Sequence, residues 1–156
     1  MKKFNIMAVL LLFSISVLAI VPPDNVQATF KKMYPKTNDI AWSQDDGYYC
    51  ANFVMNGFTK NVWFKGQWEM TQTDLVSLDR LTPVVYNAFT FSSYASWVAE
   101  DVTMVEFPKW QAIIVIEVGQ DNVDIKYQLF YTPKGILLKT RNVSYMYDIL
   151  GPGTFL

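Results

Sequence analysis

The chain has 156 residues, with 13 Lys and Arg against 14 Asp and Glu, no histidine and a single cysteine, Cys50. Zero histidines exclude Ser-His-Asp and Cys-His catalysis and every His-containing zinc site, and one cysteine excludes an intramolecular disulfide. A nearly balanced charge gives no electrostatic reason to hold DNA or RNA, so no nucleic-acid partner is expected.

Met1, Lys2 and Lys3 precede an apolar run from Phe4 to Val21, with small-residue character around Val17-Leu18-Ala19 and Pro22-Pro23 beyond it. This pattern predicts a secretory signal peptide over residues 1–19, cleaved after Ala19, and hence a periplasmic or secreted protein. A retained anchor is the rival reading, but the run sits at the short end of the ~17–25 residues that span a bilayer. We expect no stable membrane insertion after cleavage. Losing Lys2 and Lys3 with the leader leaves 11 basic residues against 14 acidic ones, a net charge of −3.

Pro22-Pro23-Asp24 predicts a helix start, with prolines at the first turn and a carboxylate near the positive end of the helix dipole. Val26, Phe30 and Tyr34, with Met33, fall on one helical stripe, and Pro35 ends it. Ile40-Ala41-Trp42 leads into a turn at Asp45-Asp46-Gly47. The period then becomes two: Tyr49, Ala51 and Phe53 share one face, Tyr48, Cys50 and Asn52 the other. Asn56-Gly57 is a hairpin signal. Phe58, Lys60, Val62 and Phe64 alternate with Thr59, Asn61 and Trp63, and Lys65-Gly66-Gln67 turns the chain into a strand from Trp68 to Gln72.

Thr73 to Arg80 is expected as a joint. Pro83 opens a second helical segment reaching Tyr94, over an interval equal to that from Pro23 to Tyr34. Strand-like stretches follow at 101–107, 111–119, 123–131 and, after Thr132-Pro133-Lys134-Gly135, at 136–139. The expected class is α+β: two tandem repeats of a helix plus an antiparallel four-strand sheet, at about 22–73 and 81–140, within one domain spanning 20–156.

Phe30-Lys31-Lys32-Met33-Tyr34-Pro35-Lys36, then Ile40-Ala41-Trp42, Tyr49 to Phe53, Val62-Trp63-Phe64-Lys65-Gly66-Gln67-Trp68 and Leu81-Thr82-Pro83-Val84-Val85, resemble the PepSY-like family of exported Gram-negative bacterial proteins. That family is similar in architecture to the secreted beta-lactamase inhibitory protein. The resemblance covers most of the chain after the leader, and Tyr94-Ala95-Ser96-Trp97 departs from it by lacking the Tyr-Pro of the first half. It implies helices on one face of an antiparallel sheet, with the other face open and slightly concave. It implies no catalytic residues, and we expect no cofactor.

Strand alternation sorts the side chains. With Tyr49, Phe53, Val62, Phe64, Trp68 and Met70 turned toward the helices, Tyr48, Asn52, Thr59, Asn61, Trp63, Glu69 and Thr71 point to the open face. In the second half Asp124, Lys126, Gln128 and Phe130 share that face, opposite Val123, Ile125, Tyr127 and Leu129. Aromatics make up 16% of the chain, in excess of what a small core needs, and exposed Trp and Tyr suit interfaces. The candidate partner-binding residues are therefore Tyr48, Asn52, Trp63, Lys126, Gln128 and Phe130.

Asp45-Asp46-Gly47, Glu100-Asp101 and Asp121-Asn122-Val123-Asp124 read as turn or strand-edge charges, since none has the spaced oxygen ligands of a calcium loop. The tail from Gly151 to Leu156 reads as a loose end with an apolar terminus that can dock on its own sheet or on a partner. The expected function is non-enzymatic binding of another exported protein or peptide through the open face, with enzyme inhibition one form of it. The alternative is a small-molecule carrier or sensor with an apolar pocket between sheet and helices.

Overall fold

The computed structural model describes residues 19–120, 122–145 and 150–155. The expected signal peptide lies outside the described residues except for Ala19. The first helix, α1 (Asp24–Met33), begins just after Pro23, carries Asp24 in its first turn and Lys31 and Lys32 in its last, and buries Val26 and Phe30. Each charge complements the helix dipole at its own end. The Tyr34 N–H closes the last turn on the Phe30 carbonyl, and Pro35 stops further winding.

Four strands follow: β1 (Ala41–Asp45), β2 (Tyr48–Met55), β3 (Phe58–Lys65) and β4 (Gln67–Asp74). The two-residue turns between β1, β2 and β3 hold Asp46 and Gly47, then Asn56 and Gly57, all at positive φ. That pair of left-handed residues gives a turn whose twist matches the strands it joins. A short 3₁₀ turn, Leu78–Arg80, leads to α2 (Pro83–Thr90), and then come β5 (Val98–Glu106), β6 (Ile113–Gly119), β7 (Lys126–Tyr131) and β8 (Leu137–Asn142). All eight strands form one continuous antiparallel sheet in sequence order.

Register places both helices on the same side. Val62 pairs with Thr71, Thr73 with Met104, and Val102 with Ile116, so one face runs unbroken from the α1 contacts to the α2 contacts. Under α1, Phe30 meets the rings of Trp42, Phe53 and Phe64 at 5.3, 5.3 and 6.4 Å. Burying such a ring contributes about 1.5–3 kcal/mol. Under α2, Val85 and Phe89 pack on Val102, Ile114, Ile116, Val118, Leu129 and Tyr131. A third cluster occupies the helix-free face: Cys50, Trp63, Met70, Val105, Phe107, Val115 and Phe130.

Several sequence expectations are corrected. The β3–β4 register shifts between Trp63 and Phe64, so that Trp63 opposes Met70 while Phe64 opposes Trp68. Glu69 is the extra residue of this bulge. It reverses the alternation behind it, putting Met70 on the helix-free face and Thr71 beneath the helices, where its hydroxyl lies 3.4 Å from that of Tyr34. The second helix ends at Thr90 rather than reaching Tyr94, which sits in a following turn against Trp97 and Tyr127. Strand β7 starts at Lys126, so Val123, Asp124 and Ile125 precede the sheet and are exposed. Thr73 and Asp74, expected in the joint, complete β4.

Candidate binding face

The helix-free face has a closely packed apolar half and a polar half. In the apolar half, Phe107 and Phe130 receive the ring of Phe155 at 5.3 and 5.9 Å, both edge-on. The C-terminal segment thus lies back on its own sheet, with Leu150 also packed against this cluster. Beside Phe107, Lys109 and Trp110 with Gln67 and Glu69 border a cleft of about 110 Å³.

All six sequence-predicted residues lie on this face, in two groups separated by β4, β5 and β6. Tyr48 is half-buried, with the Lys65 ammonium 4.6 Å from its ring centre, and exposed Asn52 donates to the Asn61 side-chain oxygen at 2.7 Å. Trp63, expected at the surface, is only 8% exposed. Gln128 and Phe130 are buried as well, the latter under Phe155 with the Lys139 ammonium 4.5 Å from its ring centre. These three are components of the face's interior, because the tail and the neighbouring strands cover them. Lys126 is half-buried and paired with Glu100, whose carboxylate occupies the space that a side chain at Gly119 would fill. The hydrogen bond that the Lys126 ammonium donates to the Glu100 carboxylate raises its pKa above the usual lysine value.

The polar half is a groove of about 260 Å³ that crosses the sheet from Asn61 on β3 to Gln128 on β7, with Leu150 at its margin. Gln72 and Asp74 come from β4, Thr103 and Asp101 from β5, and Glu117 from β6. Sequence reasoning missed these residues for a local reason. The Glu69 bulge puts Gln72 and Asp74 on this face, and a second bulge at Glu100 sets Asp101 opposite Glu117. Thr103 donates to Asp101 at 2.8 Å, and Gln128 donates to Glu117 at 3.1 Å.

Burial pushes the Cys50 thiol up to about 12, which removes it as a nucleophile near neutral pH. Among the described residues no cluster of His, Cys, Asp or Glu is arranged to hold a metal ion. On the opposite side, Phe30, Tyr34 and Trp42 wall a cleft of about 470 Å³ between α1 and β1, with Gln27, Lys31 and Asn38 at its mouth.

Comparison with known proteins places this architecture. The structure is similar to that of a DUF2874 family protein from Bacteroides ovatus ATCC 8483, at 81% identity and a TM-score of 0.86, covering 88% of this chain and 99% of that one. It is similar to a protein of Bacteroides eggerthii DSM 20697 described as "putative periplasmic", at 48% identity and a TM-score of 0.82, covering 87% and 99%. A BLIP-like protein from Bacteroides fragilis NCTC 9343 matches at 35% identity and a TM-score of 0.79, covering 85% and 94%. No curated protein matches the sequence. Residues 47–139 match the family described as "Putative beta-lactamase-inhibitor-like, PepSY-like", and the chain belongs to that family.

Proposed function

We propose that the chain is an exported, non-catalytic binding protein that engages another protein or peptide through the helix-free face of its sheet. One observation carries this reading: both helices cover the same side of an eight-stranded sheet, and the other side carries its own aromatic cluster beside a polar groove. A sheet face that mixes rings, amides and single charges has the composition of an interface. Tyr48 and Asn52 are its accessible contacts, and Trp63, Gln128 and Phe130 are buried within the same face, Phe130 under the tail.

Export is supported by the leader-like N-terminus and by the description of the Bacteroides eggerthii relative. Among the described residues no helix is long and apolar enough to cross a membrane. The BLIP-like relative makes inhibition of an exported enzyme one form of the activity. The order of one helix before β1–β4 and one before β5–β8 supports descent from a duplicated helix-plus-four-strand unit. A second reading, a small-molecule carrier, draws on the ring-walled cleft between α1 and β1.

Affinity capture from an envelope extract of the native organism, with a Tyr48→Ala, Asn52→Ala double variant as control, tests the reading. A protein retained by the parent and lost with the folded variant supports it. Retention of a small molecule alone, by parent and variant equally, favours the carrier.

A further inference from the structure

We infer that the polar groove is a binding site for the Arg or Lys side chain of an extended peptide, an assignment that rests on the helix-free face being the binding surface. Two buried amides with one unpartnered end each carry the argument. Gln72 is 3% exposed and Gln128 is 1% exposed. The Trp63 indole donates to the Gln72 oxygen at 3.2 Å, and an indole can only donate, so the Gln72 amide is fixed with its NH₂ group left over. The Gln128 NH₂ donates to the Glu117 carboxylate, which can only accept, so Gln128 is fixed with its oxygen left over. Both leftover atoms, Gln72 Nε2 and Gln128 Oε1, are buried without a hydrogen-bond partner. A buried donor or acceptor without a partner is destabilising, and a ligand that supplies the partner removes that penalty.

The groove therefore asks for an acceptor at its β4 end and a donor at its β7 end. Asp74, Asp101 and Glu117 line the space between, and among the described residues that line it none is cationic, the nearby cations being Arg141, opposite Gln128 on β8, and Lys126, paired with Glu100. The carboxylates come from three successive strands and do not converge as a metal site among the described residues. An elongated organic cation satisfies this pattern. A guanidinium or ammonium group donates to Glu117, Asp101 and Gln128 Oε1. A cation alone offers Gln72 Nε2 no acceptor, whereas a peptide supplies a backbone carbonyl. Three strand spacings separate β4 from β7, about 14 Å, which a few extended residues and one long basic side chain cover.

The test is an NMR titration of the ¹⁵N-labelled protein with acetyl-Gly-Arg-Gly-Gly amide and with the same peptide carrying citrulline, which keeps the shape of arginine without its charge. The side-chain amide signals of Gln72 and Gln128 are expected to move saturably with the arginine peptide, and the citrulline peptide is expected to bind at least ten-fold more weakly. Glu117→Gln with Asp101→Asn, which keeps an acceptor for Gln128, is expected to lose about ten-fold in affinity for the arginine peptide. Equal binding of the two peptides, or amide signals that stay fixed throughout, overturns the assignment. Shifts confined to Tyr48 and Asn52 also overturn it, while leaving the helix-free face standing as the binding surface.

Discussion

The indole N–H of Trp63 donates to the side-chain oxygen of Gln72 at 3.2 Å, with both residues buried on the helix-free face. This bond ties β3 to β4 just past the Glu69 bulge, so Trp63 is part of the fold before it is part of any interface. Trp63→Ala is expected to lower stability by about 3–5 kcal/mol through the cavity it leaves. Trp63→Phe keeps most of the volume and strands the Gln72 oxygen, for an expected loss of about 1–3 kcal/mol. Urea unfolding measures both. A Trp63→Ala protein within about 0.5 kcal/mol of the parent would place the ring at the surface.

Gly135 has φ +77°, and a Cβ added there would lie 2.9 Å from the Val84 carbonyl of α2. Gly57 has φ +81° with open space around its Cβ direction. Left-handed backbone costs either alanine about 1–2 kcal/mol, and only Gly135→Ala adds the steric cost of about 1–3 kcal/mol. Thermal unfolding of the two variants is expected to show Gly135→Ala as the less stable. Equal losses would mean that α2 does not press on this turn.

Burial raises the Cys50 thiol from its ordinary 9.0 to about 12. The unfolded thiol ionises first as pH rises, so the contribution is complete below pH 9.0 and is lost on the way to about 12. Tyr34 and Tyr131 are raised by burial too, and act in the same sense above the usual tyrosine value. The parent is therefore expected to lose more stability than Cys50→Ala between about pH 8 and about pH 10, roughly one pH unit either side of the thiol's ordinary value. Parallel pH profiles for the two proteins would show an accessible thiol.

The turns and α1 were readable because each is decided by nearest neighbours: Pro23 and Asp24 start the helix, and Asn56-Gly57 fixes a hairpin. Strand alternation held on β2 and β3 for the same reason. It failed behind Glu69, where one extra residue turned Met70 and Thr71 to the opposite sides. Nothing in Trp68-Glu69-Met70-Thr71 marks that bulge, because either phase offers a plausible buried residue. Trp63 and Phe130 were placed on the correct face but not in its interior, since their burial depends on contacts distant in sequence, with Gln72 in one case and Phe155 in the other. The groove was invisible for both reasons together.

Phe155 covers Phe107 and Phe130 with two edge-on ring contacts. Each contact of this kind is worth about 0.5–1.5 kcal/mol, so Phe155→Ala is expected to cost about 1–3 kcal/mol. The same variant is expected to bind more of a hydrophobic dye such as anilinonaphthalene sulfonate, because the cluster beneath is uncovered. Unchanged dye fluorescence with unchanged stability would detach the tail from this account.

Site-specific photo-crosslinking in the envelope of the native organism tests the helix-free face most directly, with a benzoylphenylalanine placed once at Asn52 and once at Tyr86. Asn52 is exposed on the helix-free face, and Tyr86 is exposed on α2 on the other side. The account predicts a discrete adduct with a second polypeptide from Asn52 and none from Tyr86. An adduct from Tyr86 with none from Asn52 would put the working surface on the helices and contradict it.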